Sequence, residues 1–361
     1  MLSTSVRPPG NRTQNSITPT SNEDSGHPSP APGSDQATTS APTPTGVSYT
    51  SNVQRPNLVH LRILSQYLAE PDRALGMGFA DSKTTADLIL KHSLEHEFLM
   101  CLLLAFAALR QATSQPDHQS RELYHESMEL LNIGIKGLGE ATSTLNSESL
   151  APTFLASSLI GSHMLCETFA FNHAESTDAF FDRLLHTIRV IRGTRAVLSE
   201  GNWANITKSE IAPLFGLHVI NRENGEDDKT PYFRRLYTLI ESCNLDLDDK
   251  VICGEVTDQL LKTYGSDSTD PQIRKISTSV RARAWPVVTD KRFMHMLENR
   301  SPVALILTAH WAVLLHDLEG DWPIGNAGKR VVDATEAILG TAWGDWLAWP
   351  REVVNRPIQP T

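Results

Sequence analysis

The chain has 361 residues, a formal net charge of −10 and only 4 cysteines, with 40% hydrophobic and 20% charged residues. A folded region of about 300 residues buries about 75% of the surface its unfolded chain exposes, so a stable core needs neither metal nor disulfides here. No basic stripe of Lys and Arg stands against the acidic balance, and such a surface repels a duplex, which excludes direct DNA binding by this chain alone as the expected activity. The longest apolar run, Phe98–Leu109, has 12 residues. A membrane span needs about 20, so the run reads as a buried core helix. Cys101, Cys166, Cys243 and Cys253 are scattered, three of them in apolar, helix-like stretches, and are expected to be reduced thiols of an intracellular protein. Met1–Gly10 has no apolar core of a signal peptide.

Residues 1–56 are more than half Ser, Thr, Pro and Gly and lack aliphatic clusters. Such a segment cannot bury enough apolar area to offset its ordering entropy, and we expect a disordered linker or tail there. From Asn57 onward the spacing is helical. Leu58, Leu61, Leu64 and Leu68 share one face, and Leu88 to Leu109 reads as one long helix stopped by Pro116. Tyr124, Met128, Leu131, Ile135 and Leu138 step by 4, 3, 4 and 3, an amphipathic stripe. Leu150–Phe171 is apolar on nearly all faces and is expected to be a central, enclosed helix. Phe180, Leu184, Ile188 and Ile191 give another stripe, ended by Gly193. Pro231, Pro271 and Pro302 each sit where a first helical turn begins. They precede Phe233, Leu236, Ile240 and Cys243, then Ile273, Ile276 and Val280, then Leu305, Thr308, Ala312 and Leu315. No run of alternating β-branched residues and no regular repeat appears. The expected fold is all-α, a non-repetitive helical array around a central apolar helix. It spans residues 57–354, with 355–361 as a disordered tail.

The catalytic motifs are weak. His92-Ser93-Leu94-Glu95-His96 fits H-x-x-E-H, in which two His one turn apart bind zinc. The pattern is short and no other peptidase motif accompanies it, so we expect an ordinary helix N-terminal turn, no metal and no cofactor. Gly320 to Lys329 lacks the Ser or Thr after Lys, and the preceding strand, of a phosphate loop. No G-x-S-x-G elbow occurs, and no catalytic residue is expected. Polar residues do interrupt the two most apolar helices: Ser157, Ser158, Ser162, His163 and Glu167 on one, His310 and Trp311 on the other. A mostly apolar pocket with a few orienting polar groups needs this composition. Phe154, Ser158, His163, Phe169, Leu305, His310 and Trp311 are the candidate lining of a pocket for a lipophilic small molecule. The competing reading is a set of satisfied core groups.

Several segments resemble the fungal-specific transcription factor domain of zinc-cluster regulators of the sterol-uptake-control type. Leu58–Leu64 is similar to the family's opening helix. His96–Leu109 resembles its "HPFLLHALLALAALHLA" helix, with Glu97 in place of Pro and Arg110 near the usual His. Arg192–Leu198 looks like "RGvraVL", Pro302–Leu315 like "PeALvILAHyavLL", and Trp343–Pro350 like the closing "W..WL.WP". The resemblance covers roughly residues 57–354. It implies a helical domain that senses a lipid, gates nuclear entry and activation, and controls sterol or secondary-metabolite genes, residing in the nucleus with shuttling from the cytoplasm. It also implies a homo- or heterodimer with a zinc-cluster regulator. Family members carry six N-terminal cysteines that hold two zinc ions, and residues 1–56 contain no cysteine. The expected function is a transcription regulator working through a ligand or partner, without its own zinc-cluster DNA-binding domain. The alternatives are an enzyme or lipid carrier using the same helical pocket, or a scaffold without a ligand. In a gel-shift titration at physiological salt the chain alone should bind DNA weakly and without sequence preference, since counterion release has little basic surface to act through. Nanomolar, sequence-specific binding would contradict this.

Overall fold

The computed structural model describes residues 57–70, 75, 82–142, 149–171, 176–193, 205, 208–215, 230–264 and 271–356. The expected linker over residues 1–56, the Thr194–Leu198 part of the "RGvraVL"-like turn and residues 357–361 of the tail lie outside this set. The described residues belong to one compact unit, Arg55–Thr361. Among them the regular structure is all-α, with no strand. The helices are α1 (Leu58–Ala69), α2 (Ser82–Ser93), α3 (Glu97–Thr113), α4 (Asp117–Thr142), α5 (Leu150–Ala170), α6 (Thr177–Arg192), α7 (Thr230–Ser242), α8 (Leu247–Tyr264), α9 (Pro271–Val288), α10 (Lys291–Glu298), α11 (Pro302–His316), α12 (Ala327–Leu339) and α13 (Gly344–Val354). No described helix is long and apolar enough to cross a membrane.

Local chemistry sets several ends. The Asn57 side chain accepts from the backbone N–H groups of Val59 and His60, capping α1. Ser176 does the same for Ala179 at the start of α6, and Asp290 for Arg292 at α10. Pro302 and Pro271 open α11 and α9, and Pro231 is second in α7, where a missing N–H costs nothing. Gly340 stops α12 at φ 70, a left-handed geometry that favours glycine.

Two apolar clusters result. One joins α1 to α4 with most of α5, around Leu99, Leu103, Phe106, Leu131 and Leu159. The other joins α6 to α13, around Phe181, Phe233, Trp285, Phe293, Leu305 and Trp311. Helix α5 feeds both, with Leu155 and Cys166 in the first and Leu165 and Phe169 in the second. Two arginines tie elements across the second. The Arg330 guanidinium donates to the Thr168 and Phe169 carbonyls at the C-terminus of α5 and lies 4.4 Å from the Phe180 ring centroid. Arg192 donates to the carbonyls of Pro286 and Thr289 at the end of α9.

Several expected faces are corrected. The helix enclosed on all sides is α11, where every residue from Val303 to His316 is buried. Helix α5 leaves Ala151, Phe154, Ser157, Met164, Glu167 and Ala170 half-buried, in two runs of three-residue steps separated by a seven-residue step. Most of the Leu stripe of α1 faces outward: Leu58, Leu61 and Leu68 are 72%, 50% and 51% exposed, Leu64 is half-buried against the first cluster, and Ile63 and Tyr67 point into the core. The Tyr67 hydroxyl donates to the Ala86 carbonyl, anchoring that rotation. On α4 Ile135 is exposed and the packed face runs through Ser127, Leu131 and Gly134. Gly134 and Gly137 explain the shift, because a Cβ there would lie 2.6 Å from Leu102 Cγ and 2.8 Å from Phe98 Cβ. The single helix expected over Leu88–Leu109 is broken between Ser93 and Glu97. The Ser93 hydroxyl donates to the Ile89 carbonyl, and His96 takes an extended conformation before α3. The expected side chains Ile273 and Ile276 lie outside the described set.

Helices α11 and α12 cross backbone against backbone at Gly328. A Cβ on Gly328 would lie 2.6 Å from both the Ala312 carbonyl oxygen and the His316 nitrogen, both backbone atoms that cannot rotate away. Gly328→Ala should therefore lower unfolding free energy by roughly 1–3 kcal/mol or more. Gly254→Ala, within α8 and with open space around its Cβ, should raise it by roughly 0.5–1 kcal/mol. Denaturant melts of both variants check the pair.

Candidate functional site

The structure does not gather the seven candidate residues into one pocket. Phe154 is half-buried against the first cluster, and Ser158 is half-buried with its carbonyl accepting from the Ser162 hydroxyl. Phe169 packs on Phe180 at 6.2 Å between ring centroids. Leu305 is wholly buried. Trp311 is buried, stacked on Trp285 at 5.1 Å, and its indole N–H donates to the Ala282 carbonyl. Phe169, Leu305 and Trp311 are core residues.

His163 is also a core group, with a fixed tautomer. The Ser127 hydroxyl donates to the Ala105 carbonyl at 2.7 Å, so its oxygen accepts from His163 Nε2–H at 2.7 Å. That leaves His163 Nδ1 buried and without a partner. The pair does not form a nucleophile and base, because Ser127 is wholly buried and its proton is held by Ala105. Desolvation lowers the His163 pKa to about 4.

His310 behaves differently. Its Nδ1–H donates to the Ile306 carbonyl at 2.8 Å, since a carbonyl only accepts, and Nε2 is left as the ring's acceptor. The residue lines a cavity of about 90 Å³ between α7, α11 and α13. Trp349 forms one wall, stacked on Tyr232 at 5.1 Å and tilted against His310 at 5.4 Å. Trp346 forms another, with the Arg235 guanidinium 5.3 Å from its ring centroid. Asp345 and Glu352 add carboxylates to the lining. Behind the cavity, Phe233 and Tyr264 contact at 4.8 Å, and the Tyr264 hydroxyl donates to the His310 carbonyl. Burial pushes the His310 pKa down to about 4, helped by the positive Arg235, so the imidazole is neutral at pH 7. The site thus offers flat aromatic walls, a neutral nitrogen acceptor and a mixed-charge rim.

Its volume decides what enters. A water occupies about 30 Å³, so the cavity holds about three, whereas drug-sized ligands need about 300–1,000 Å³. A ring or head group fits, and the rest of a longer molecule must lie outside. A second cavity, about 300 Å³, lies between the ends of α1 and α3 and is lined by Tyr67, Glu70, Ala107, Arg110 and Gln111. Arg110 and Glu70 form an ion pair there at 3.2 Å. Sequence reasoning named His310 but missed Tyr232, Arg235, Trp346 and Trp349. The Trp-rich close of the chain was the available signal, since two tryptophans three residues apart share a helix face. The chain matches no family model and no curated protein.

The two neutral histidines predict an acid sensitivity. Their folded pKa lies below the unfolded value of about 6.5, so the unfolded state binds more protons between those limits. Stability should be full above pH 6.5 and fall by roughly 1 kcal/mol per pH unit for each histidine as pH drops toward 4. Urea melts from pH 7 to 4.5 should show this slope, and His310→Gln should remove about half of it. An unchanged slope in both His310→Gln and His163→Gln would contradict the assignment.

Proposed function

We propose that this chain is the helical regulatory domain of a fungal transcription regulator of sterol or secondary-metabolite genes. It acts by binding a ligand or a partner, in the nucleus. One observation supports the reading above the others. The two segments that most resemble the family's closing motifs, Pro302–Leu315 and Trp343–Pro350, meet at a cavity built from His310, Trp346 and Trp349. In this reading a flat ring of the ligand slots between Trp349 and Trp346, and a hydroxyl or N–H donates to His310 Nε2. The lipophilic remainder lies along the outer face of α7 and α13. The exposed Leu58, Leu61 and Leu68 side of α1 supports the partner half of the proposal, since contiguous exposed apolar surface marks association sites.

A ligand that binds only the folded state stabilises it by RT ln(1 + [L]/Kd), about 2.7 kcal/mol at a hundredfold excess over Kd, which moves Tm by a few degrees. Thermal-shift screening against sterols, fatty acids and aromatic secondary metabolites should yield a hit that also quenches tryptophan emission. Ala348→Trp should abolish the hit: Ala348 is exposed and lines the cavity, so a large ring there blocks the space while sparing the core. A hit unaffected by Ala348→Trp, or catalytic turnover of the bound compound, would overturn the reading.

A further inference from the structure

We propose that His92, Glu95 and His96 bind one zinc-class divalent ion, with Glu210 positioning His92. This replaces the expectation that the H-x-x-E-H segment is only a helix turn, and it is independent of the aromatic cavity. The break between α2 and α3 places the three residues differently from one continuous helix. His92 lies in the last turn of α2, Glu95 in the connecting turn, and His96 at the N-cap of α3, with no side-chain hydrogen bond to the cap. One ligand atom from each of the three lies within 4.8 Å of the others. The two imidazoles are nearly parallel, 6.4 Å apart at 20°.

Glu210 supplies the second, independent observation. His92 Nε2 is 2.8 Å from Glu210 Oε1. Glu210 also accepts from Lys91 Nζ at 2.8 Å, an ion pair. An ionised carboxylate only accepts, so His92 Nε2 carries the proton and Nδ1 keeps its lone pair. His92 is 7% exposed, and that Nδ1 is buried without any hydrogen-bond partner. A bare imidazole nitrogen in that position is costly unless a Lewis acid or a donor meets it. Metal-ligating histidines usually donate their other N–H to a carboxylate, which fixes the ring and raises its basicity, and Glu210 makes that contact here.

Two imidazole nitrogens and one carboxylate oxygen suit zinc, and exclude calcium and magnesium, which take oxygen ligands. Bonds of about 2.0–2.1 Å at tetrahedral angles bring ligand atoms to about 3.4 Å apart, so the group must close by about 1.4 Å or less. Glu95 is exposed and His96 half-buried, and both can move that far by side-chain rotation, while buried His92 stays in place. Three protein ligands leave a fourth position for water on the exposed side.

The test uses the full chain freed of metal by a chelator. Zinc is titrated against a chromophoric competitor, and cobalt(II) is added as a spectroscopic substitute. One zinc per chain is expected, with the intense visible bands of four-coordinate cobalt. His96→Ala should weaken zinc binding by about a hundredfold or more, and Glu210→Gln by about 10–100-fold without removing a ligand. His96 makes no capping bond, and unchanged helicity confirms that its variant folds. The exposed pairs His118–Glu122 and His125–Glu129 serve as controls, because they present imidazole and carboxylate at helical spacing without a buried nitrogen. No binding by the wild type, equal binding by His96→Ala, or loss of binding in His118→Ala and His125→Ala would overturn the proposal. Unchanged affinity in Glu210→Gln would remove Glu210 from it.

Discussion

The fold depends on hiding α11 on every side. From Val303 to His316 every residue is buried, so the helix has no face on which the molecule could end. Each polar group along it must be satisfied within protein. Thr308 donates to the Ala304 carbonyl, His310 to Ile306, and Trp311 to Ala282. The neighbours are then constrained in detail. Helix α12 approaches so closely that only glycine fits at 328, α9 presents Trp285 flat against Trp311, and α13 brings Trp349 against His310. The candidate cavity is the shallow gap left where α7 and α13 wrap the His310 side of that helix.

The second recurring device is arginine at helix ends. Arg330 satisfies the last carbonyls of α5 while its face covers Phe180, and Arg192 does the same for the end of α9. Each places a planar set of donors where orphan carbonyls gather and lies over or beside an apolar element. The Arg330 contact ties α12, in the half built around α11, to α5, which packs into both clusters.

Three histidines show how one side chain takes different chemistry from its neighbours. His163 and His310 are both neutral because burial disfavours charge, yet they hold opposite tautomers. A serine oxygen accepts from Nε2 of the first, and a backbone carbonyl accepts from Nδ1 of the second. His92 is held by an ionised carboxylate, which directs its free lone pair onto Nδ1. The proposed roles, core filler, ligand acceptor and metal ligand, follow from what accepts each ring's proton and from what space faces the other nitrogen.

The sequence by itself determined the all-α class, the placement of most helices, and the proline and glycine boundaries at Pro302, Pro271 and Gly193, because these rest on local spacing and backbone chemistry. It also singled out His310. It did not decide which face of a helix meets the core. The Leu58, Leu61 and Leu68 stripe lies outward because Tyr67 reaches the Ala86 carbonyl, and α4 turns on its glycines because Phe98 and Leu102 press against its backbone. Those are contacts between residues 19 to 39 positions apart, invisible to periodicity. The candidate sites are of the same kind. His310 meets Trp346 and Trp349, and His92 meets Glu210, only because segments distant in sequence are packed side by side. Spacing along a chain reports the geometry of one element, whereas a binding site is made by the geometry between several.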